Sequence, residues 1–224
     1  FKEEVHVSFA PVVYPTSVTV EHELGGRAYL DMEGATIGTT VKLTCLPDEG
    51  YRVAQITGAE LTDKGSNTYT FVMDNAPVEL SVLFLRQNNP FLDVNETHFY
   101  HDSVLWAVEN GITNGVDATH FGSMGVCTRA QVVTFLWRAA GSPAPESTVN
   151  PFQDVAVGTW YTDAVLWAVE KGITNGVDAT HFAPDGVCNR AQVVTFLHRA
   201  SGSPTPALEE NPFTDVAERG WYTA

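Results

Sequence analysis

Two arginines stand where helix physics disfavours them. Thr128-Arg129-Ala130-Gln131 has the S/T-x-x-E/Q form of a capping box, and Asn189-Arg190-Ala191-Gln192 repeats it with Asn at the cap. Each arginine therefore falls in the first turn of a helix, where the dipole favours Asp or Glu by ~0.3–1 kcal/mol. Unpaired first-turn N–H groups, the dipole and a guanidinium fork together suit a carboxylate or phosphate on a ligand. The spacing leaves a second reading open: Arg129 pairs with Asp93 or Asp154 and pins neighbouring segments together. Aromatic residues flank the same region. Trp160 and Tyr161 lie just before a predicted helix, and Trp160 suits either the core or a platform for a sugar ring. Trp106 and Trp167, inside amphipathic helices, are expected in the core. His120 near Asp117 and His181 near Asp178 are read as hydrogen-bonding loop residues rather than acid–base or metal groups.

Other chemistries find no support. There is no G-x-S-x-G, no H-E-x-x-H and no Gly-rich phosphate loop, so an enzyme is not expected, and neither is a cofactor or a metal ion. Twelve Lys+Arg against 27 Asp+Glu give a net charge of −15, with no basic cluster to neutralise a row of phosphates, so nucleic acid is excluded as an expected partner. No apolar run approaches ~18 residues, so membrane insertion is not expected. The three cysteines, Cys45, Cys127 and Cys188, lack a C-x-x-C and fit neither a disulfide framework nor a zinc site. Cys127 and Cys188 are expected to stay reduced and inert, each packed beneath its own loop.

The elements that must position these residues follow from a duplication. Asn-Pro-Phe occurs at residues 89, 150 and 211, and residues 89–149 match 150–210 at 41 of 61 positions without a gap. Each copy predicts two helices. The first spans Asp102 to Asn110 or Asp163 to Lys171, stopped by Gly111 or Gly172. The second follows the capping box and stops at Gly141-Ser142-Pro143 in the first copy. The segment between, Gly-Ile-Thr-Asn-Gly-Val-Asp-Ala-Thr-His-Phe, reads as ordered loop. A third copy begins at residue 211 and reads as truncated, and the opening Phe1-Lys2-Glu3-Glu4-Val5 reads as an excerpt or mature form.

Before residue 89 the texture is different. VHVSF, SVTVEHE, TVKLTCL, YRVAQIT, NTYTFVM and VELSVLF alternate apolar and polar residues between turn signals, which predicts antiparallel strands, with Pro15 marking an edge or entry strand. The expected organisation is a β spacer over 1–88, helical copies over 89–149 and 150–210, and the start of a third over 211–224. The β unit is expected to fold independently, because its junction is polar.

The whole-copy pattern, with Phe152-Gln153-Asp154-Val155, Trp160-Tyr161-Thr162-Asp163-Ala164-Val165, Gly172-Ile173-Thr174-Asn175-Gly176 and Arg190-Ala191-Gln192, resembles the S-layer homology domain. The resemblance implies helix-loop-helix repeats in a pseudo-threefold arrangement at the bacterial cell surface, cell wall or S-layer. It implies noncovalent binding to a peptidoglycan-associated, acidic secondary cell-wall polysaccharide, often pyruvylated. The glycan-binding residues it points to are Arg129 and Arg190, with the cap residues Thr128, Asn189, Gln131 and Gln192, and with Asp154 and Trp160 beside them. This chain departs from the family at Gln131 and Gln192, where Glu is usual, and at Asn189, where Thr is usual. Residues 36–84, carrying Thr40-Val41-Lys42-Leu43-Thr44, Gly50-Tyr51 and Tyr69-Thr70-Phe71-Val72-Met73, are similar to the divergent bacterial repeat related to internalin B-repeats. That implies a small β spacer, β-grasp-like or a small sandwich. Alternatives to anchoring are adhesion through the β unit by edge-strand addition, and a role as the anchoring tail of a larger surface enzyme.

Overall fold

A computed structural model describes residues 10–205, 207 and 213–216. The expected strand VHVSF and the third-copy residues Trp221 and Tyr222 lie outside the described residues. The chain divides into two compact units: residues 1–102 with 117–121, and residues 103–116 with 122–224.

In the first unit, strands β1 (Tyr14–Val20), β2 (Gly26–Leu30), β3 (Gly34–Ala35), β4 (Thr40–Pro47), β5 (Tyr51–Thr57), β6 (Thr62–Gly65), β7 (Thr68–Val72) and β8 (Val78–Arg86) form two four-stranded sheets. The orders are β3-β1-β8-β5 and β2-β4-β7-β6. β1 and β8 run parallel; the other pairs are antiparallel. Period-2 alternation explains the core: Val41, Leu43 and Cys45 of β4 face inward with Phe71 of β7, and meet Leu80, Val82 and Phe84 of β8 from the other sheet. Two sheets around one core make this the small-sandwich form of the two expected. Pro15 sits at the entry of β1, opposite Gly34 of the two-residue β3, where a missing N–H is tolerated.

The chain beyond Asn88 remains tied to this unit. Arg52 donates from Nη2 to the carbonyl of Asn89 at 2.9 Å, and Glu96 accepts from the Tyr51 hydroxyl at 2.5 Å and forms an ion pair with Arg86. The bond to Glu96 pushes the Tyr51 hydroxyl's pKa up.

In the second unit the helices are α1 (His101–Glu109, belonging to this unit from Ser103 on), α2 (Arg129–Ala139), α3 (Thr162–Glu170) and α4 (Arg190–Ala200). Both predicted capping boxes are complete: Thr128 and Asn189 accept from the N–H of Gln131 and Gln192, whose side chains accept from the cap N–H. Gly172 adopts φ 67° after α3, where its N–H reaches the carbonyl of Val169 and closes the helix end. The Asn of Asn-Pro-Phe serves the fold directly. Asn150 accepts from the N–H of Phe152 at 2.9 Å and donates to the carbonyl of Val155 at 2.6 Å, turning Phe152 and Val155 inward. One core gathers Val132 and Val133 of α2, Phe152 and Val155, Val165, Trp167 and Ala168 of α3, Ile173, Phe182, and Phe196 of α4.

Candidate functional site

The junction between the two copies is built around Phe182. Asp154 takes the N–H groups of Phe182 and Ala183 on its two oxygens at 2.9 and 2.7 Å. Ala183 holds φ at 58°, a left-handed conformation for which this carboxylate supplies the local compensation. Burial works to raise the Asp154 pKa, and the N–H bonds outweigh it, leaving the carboxyl below its ordinary value. On the opposite edge of the same segment, Arg129 donates from Nε to the carbonyl of Phe182 at 2.8 Å and from Nη2 to the Thr174 hydroxyl at 3.4 Å. Its guanidinium lies 4.9 Å from the Phe182 ring centroid and 5.3 Å from that of Phe196. Burial pushes its pKa down, from a value so high that the group stays charged.

Arg129 is only 5% exposed. It does join the copies, as the pairing alternative held, but not by an ion pair with Asp154, whose oxygens are taken by backbone N–H groups. A carbonyl, a hydroxyl and two aromatic faces hold it instead. The first-turn N–H groups of α2 are likewise occupied: Arg129 N–H donates to the carbonyl of Gly186 at 2.8 Å and Ala130 N–H to that of Pro184 at 3.0 Å. The second copy differs. Arg190 is exposed, and neither its N–H nor that of Ala191 has a backbone partner among the described residues. Thus Thr128, Arg129, Gln131 and Asp154 are brought to one closed junction, while Asn189, Arg190 and Gln192 form an open helix end. Trp160 is exposed, so it is not core, and its ring packs edge-on against Tyr161 at 5.0 Å.

Two expectations are corrected. Trp167 is 7% exposed and in the core, but Trp106, its equivalent one copy earlier, is 57% exposed. Trp167 sits where α3 packs on α2 of the preceding copy; no such helix covers Trp106 among the described residues. The packing expected of Cys127 and Cys188 is corrected as well, although both are free thiols. Cys127 is exposed and Cys188 half-buried, and the two lie at opposed backbone positions. The cause is backbone pairing: Thr128 and Val187 form an antiparallel bridge, with Cys188 N–H donating to the carbonyl of Cys127 at 3.0 Å.

Sequence reasoning missed Thr174 and the Phe182 carbonyl as partners of Arg129, since a backbone acceptor leaves no residue-type signature. It also missed Arg138 and Arg199, which close each copy internally by donating to the carbonyls of Ile112 at 3.1 Å and Ile173 at 3.2 Å. The loop histidines act as hydrogen-bonding groups. Asp117 accepts from the N–H of Thr119 and His120 and from the His120 ring, and Asp178 does the same with Thr180 and His181. These bonds, the Thr119 and Thr180 amides foremost, hold both carboxyls at about 2. A carboxyl depressed on folding stabilises above its ordinary pKa and loses that contribution as pH falls through the folded value. Amide exchange at Thr119, His120, Thr180 and His181 should therefore stay slow down to about pH 3 and accelerate below it. Acceleration already near pH 5 in NMR exchange measurements would contradict the assignment.

The matches to known proteins agree with this architecture. Residues 16–88 match the Divergent InlB B-repeat domain, and residues 90–133 and 151–194 match the S-layer homology domain. The chain carries a divergent InlB B-repeat domain followed by two S-layer homology domains, the composition of a cell-surface anchoring protein. It is similar to a protein named Cell surface protein from Thermoanaerobacter kivui, 32% identical over 117 residues, 50% of this chain and 15% of that protein. It is 34% identical over 106 residues to the Surface-layer 125 kDa protein of Lysinibacillus sphaericus, 47% of this chain and 9% of that protein. With S-layer protein sap of Bacillus anthracis the identity is 27% over 136 residues, 58% of this chain and 16% of that protein. The chain thus spans less than a fifth of the length of these relatives, and its place is the cell surface or S-layer. Among the described residues no helix is long and apolar enough to cross a membrane.

Proposed function

We propose that this chain anchors a surface protein noncovalently to the bacterial cell wall by binding an acidic secondary cell-wall polysaccharide, a pyruvylated peptidoglycan-associated glycan being the first to test. The observation that carries the reading is the open end of α4: an exposed guanidinium at Arg190 beside first-turn N–H groups, within an S-layer homology domain. Asn189 and Gln192 fix that end, and Arg129 with Thr128, Gln131 and Asp154 holds the preceding junction in shape. Trp160 offers an exposed aromatic face for a sugar. The proposed division is a β spacer over 1–88, copies over 89–149 and 150–210, and a third from 211.

We further propose that the copies are arranged pseudo-threefold. Val133 of α2 is fully covered, whereas the equivalent Val194 of α4 is 56% exposed, and Leu197 is exposed with it. Val194 and Leu197 are the seat for the first helix of a third copy, as α2 is for α3, and Trp106 is the seat for its second. Native purified cell walls should retain the chain, and walls stripped of acidic glycan should not; retention by both would sink the glycan reading. Replacing Arg190 with Glu should weaken wall binding by ~1.5–3 kcal/mol, the range for a charge-assisted contact. Folding should hardly change, because the dipole favours an acidic residue there. A binding isotherm and a melt on the same variant check both parts.

A further inference from the structure

We infer that Cys127 and Cys188 are a disulfide-forming pair that clamps the two S-layer homology copies together at the cell surface. The inference does not depend on which glycan the chain binds. The register carries it. Thr128 and Val187 are bridge partners, flanked by the bond from Cys188 N–H to the Cys127 carbonyl at 3.0 Å and by that from Arg129 N–H to the Gly186 carbonyl at 2.8 Å. In an antiparallel pair this sets Cys127 directly opposite Cys188, with both side chains on one face. Directly opposed residues of an antiparallel pair have Cα atoms about 4.5–5.5 Å apart, inside the window of roughly 4.4–6.8 Å that disulfides occupy. Both thiols are free in this structure. The odd cysteine is also accounted for: Cys45 is buried in the β core, where burial pushes its thiol up to about 11.

Accessibility orders the chemistry. Cys127 is exposed and meets the oxidant first; Cys188 is half-buried. With a low-molecular-weight disulfide as oxidant, the Cys127 thiolate attacks one sulfur, forming a mixed disulfide and releasing one small thiolate. Cys188 gives up its proton to solvent and attacks the Cys127 sulfur, expelling the second small thiolate. Two protein thiols are oxidised and one small disulfide is reduced to two thiols. The surface of a bacterium is a compartment where such a bond persists. The bond closes a loop of 61 residues' separation through the junction that Arg129 already fills, so it removes much of the unfolded chain's freedom where the two copies meet.

The test uses the full chain, reduced and then exposed in its native state to excess hydroxyethyl disulfide, quenched by alkylation and mapped by mass spectrometry. The expected product is two hydrogens lighter than the reduced chain, contains a peptide joining Cys127 to Cys188, and offers only Cys45 for alkylation after unfolding. Its melting temperature should rise by ~10 °C and fall back on reduction. Cys188→Ser should stop the reaction at a mixed disulfide on Cys127, whereas Cys45→Ser should leave the product unchanged. A wild-type chain that keeps the hydroxyethyl adduct on Cys127 with Cys188 still alkylatable, or that couples to a second chain through Cys127, would overturn the pairing.

Discussion

Arg129→Glu should destabilise the helical unit by ~3–5 kcal/mol, the range for disrupting a buried charged group. The replacement puts a carboxylate where the Phe182 carbonyl and the Thr174 hydroxyl expect donors, beside Asp154 and against two aromatic faces. At Arg190 the same substitution should be nearly silent in a melt, because that side chain is exposed. Thermal unfolding of both variants separates the two roles: a large loss at Arg129 only, with loss of wall binding at Arg190. If Arg129→Glu melted like the parent, the closed junction around Phe182 would be wrong, and the buried guanidinium with it.

That asymmetry marks the limit of what could be read from residues alone. The capping boxes, the helix starts at Arg129 and Arg190, and the Gly172 stop were legible because caps and glycine turns are encoded by adjacent residue types. The strands of β4, β5, β7 and β8 were legible from their alternation. β2, β3 and β6 were not: β3 has two residues, β6 is exposed along its length, and β2 is a five-residue run entered at Gly26. Two identical first-turn arginines gave no hint that one would be buried and the other exposed, since that difference comes from the loop at 182–186 folding over α2. The placement of the cysteines was missed for the same reason. Facing residues 61 positions apart is a property of how the copies meet, and it leaves no trace within either copy.

The equivalent tryptophans offer a test of how further copies assemble. Trp167→Ala should destabilise the present chain by ~3–5 kcal/mol, because the indole is packed in the shared core with Val133, Val165 and Phe196 and its removal leaves a cavity. Trp106→Ala should change stability by no more than ~0.5 kcal/mol, as expected for an exposed side chain. The repeat makes the two residues equivalent in sequence, so the difference reports what covers each one. In a chain that continues into a complete third copy, the proposed pseudo-threefold arrangement places that copy's second helix on Trp106, just as α2 covers Trp167. Trp106→Ala should then cost several kcal/mol, and Val194, exposed on α4, should become protected alongside it. Denaturant unfolding of the two alanine variants, in the short and the extended chain, gives four numbers to compare. If Trp106→Ala remains neutral in the extended chain while Trp167→Ala is costly in both, the copies stack in an open row and the cyclic arrangement must be given up.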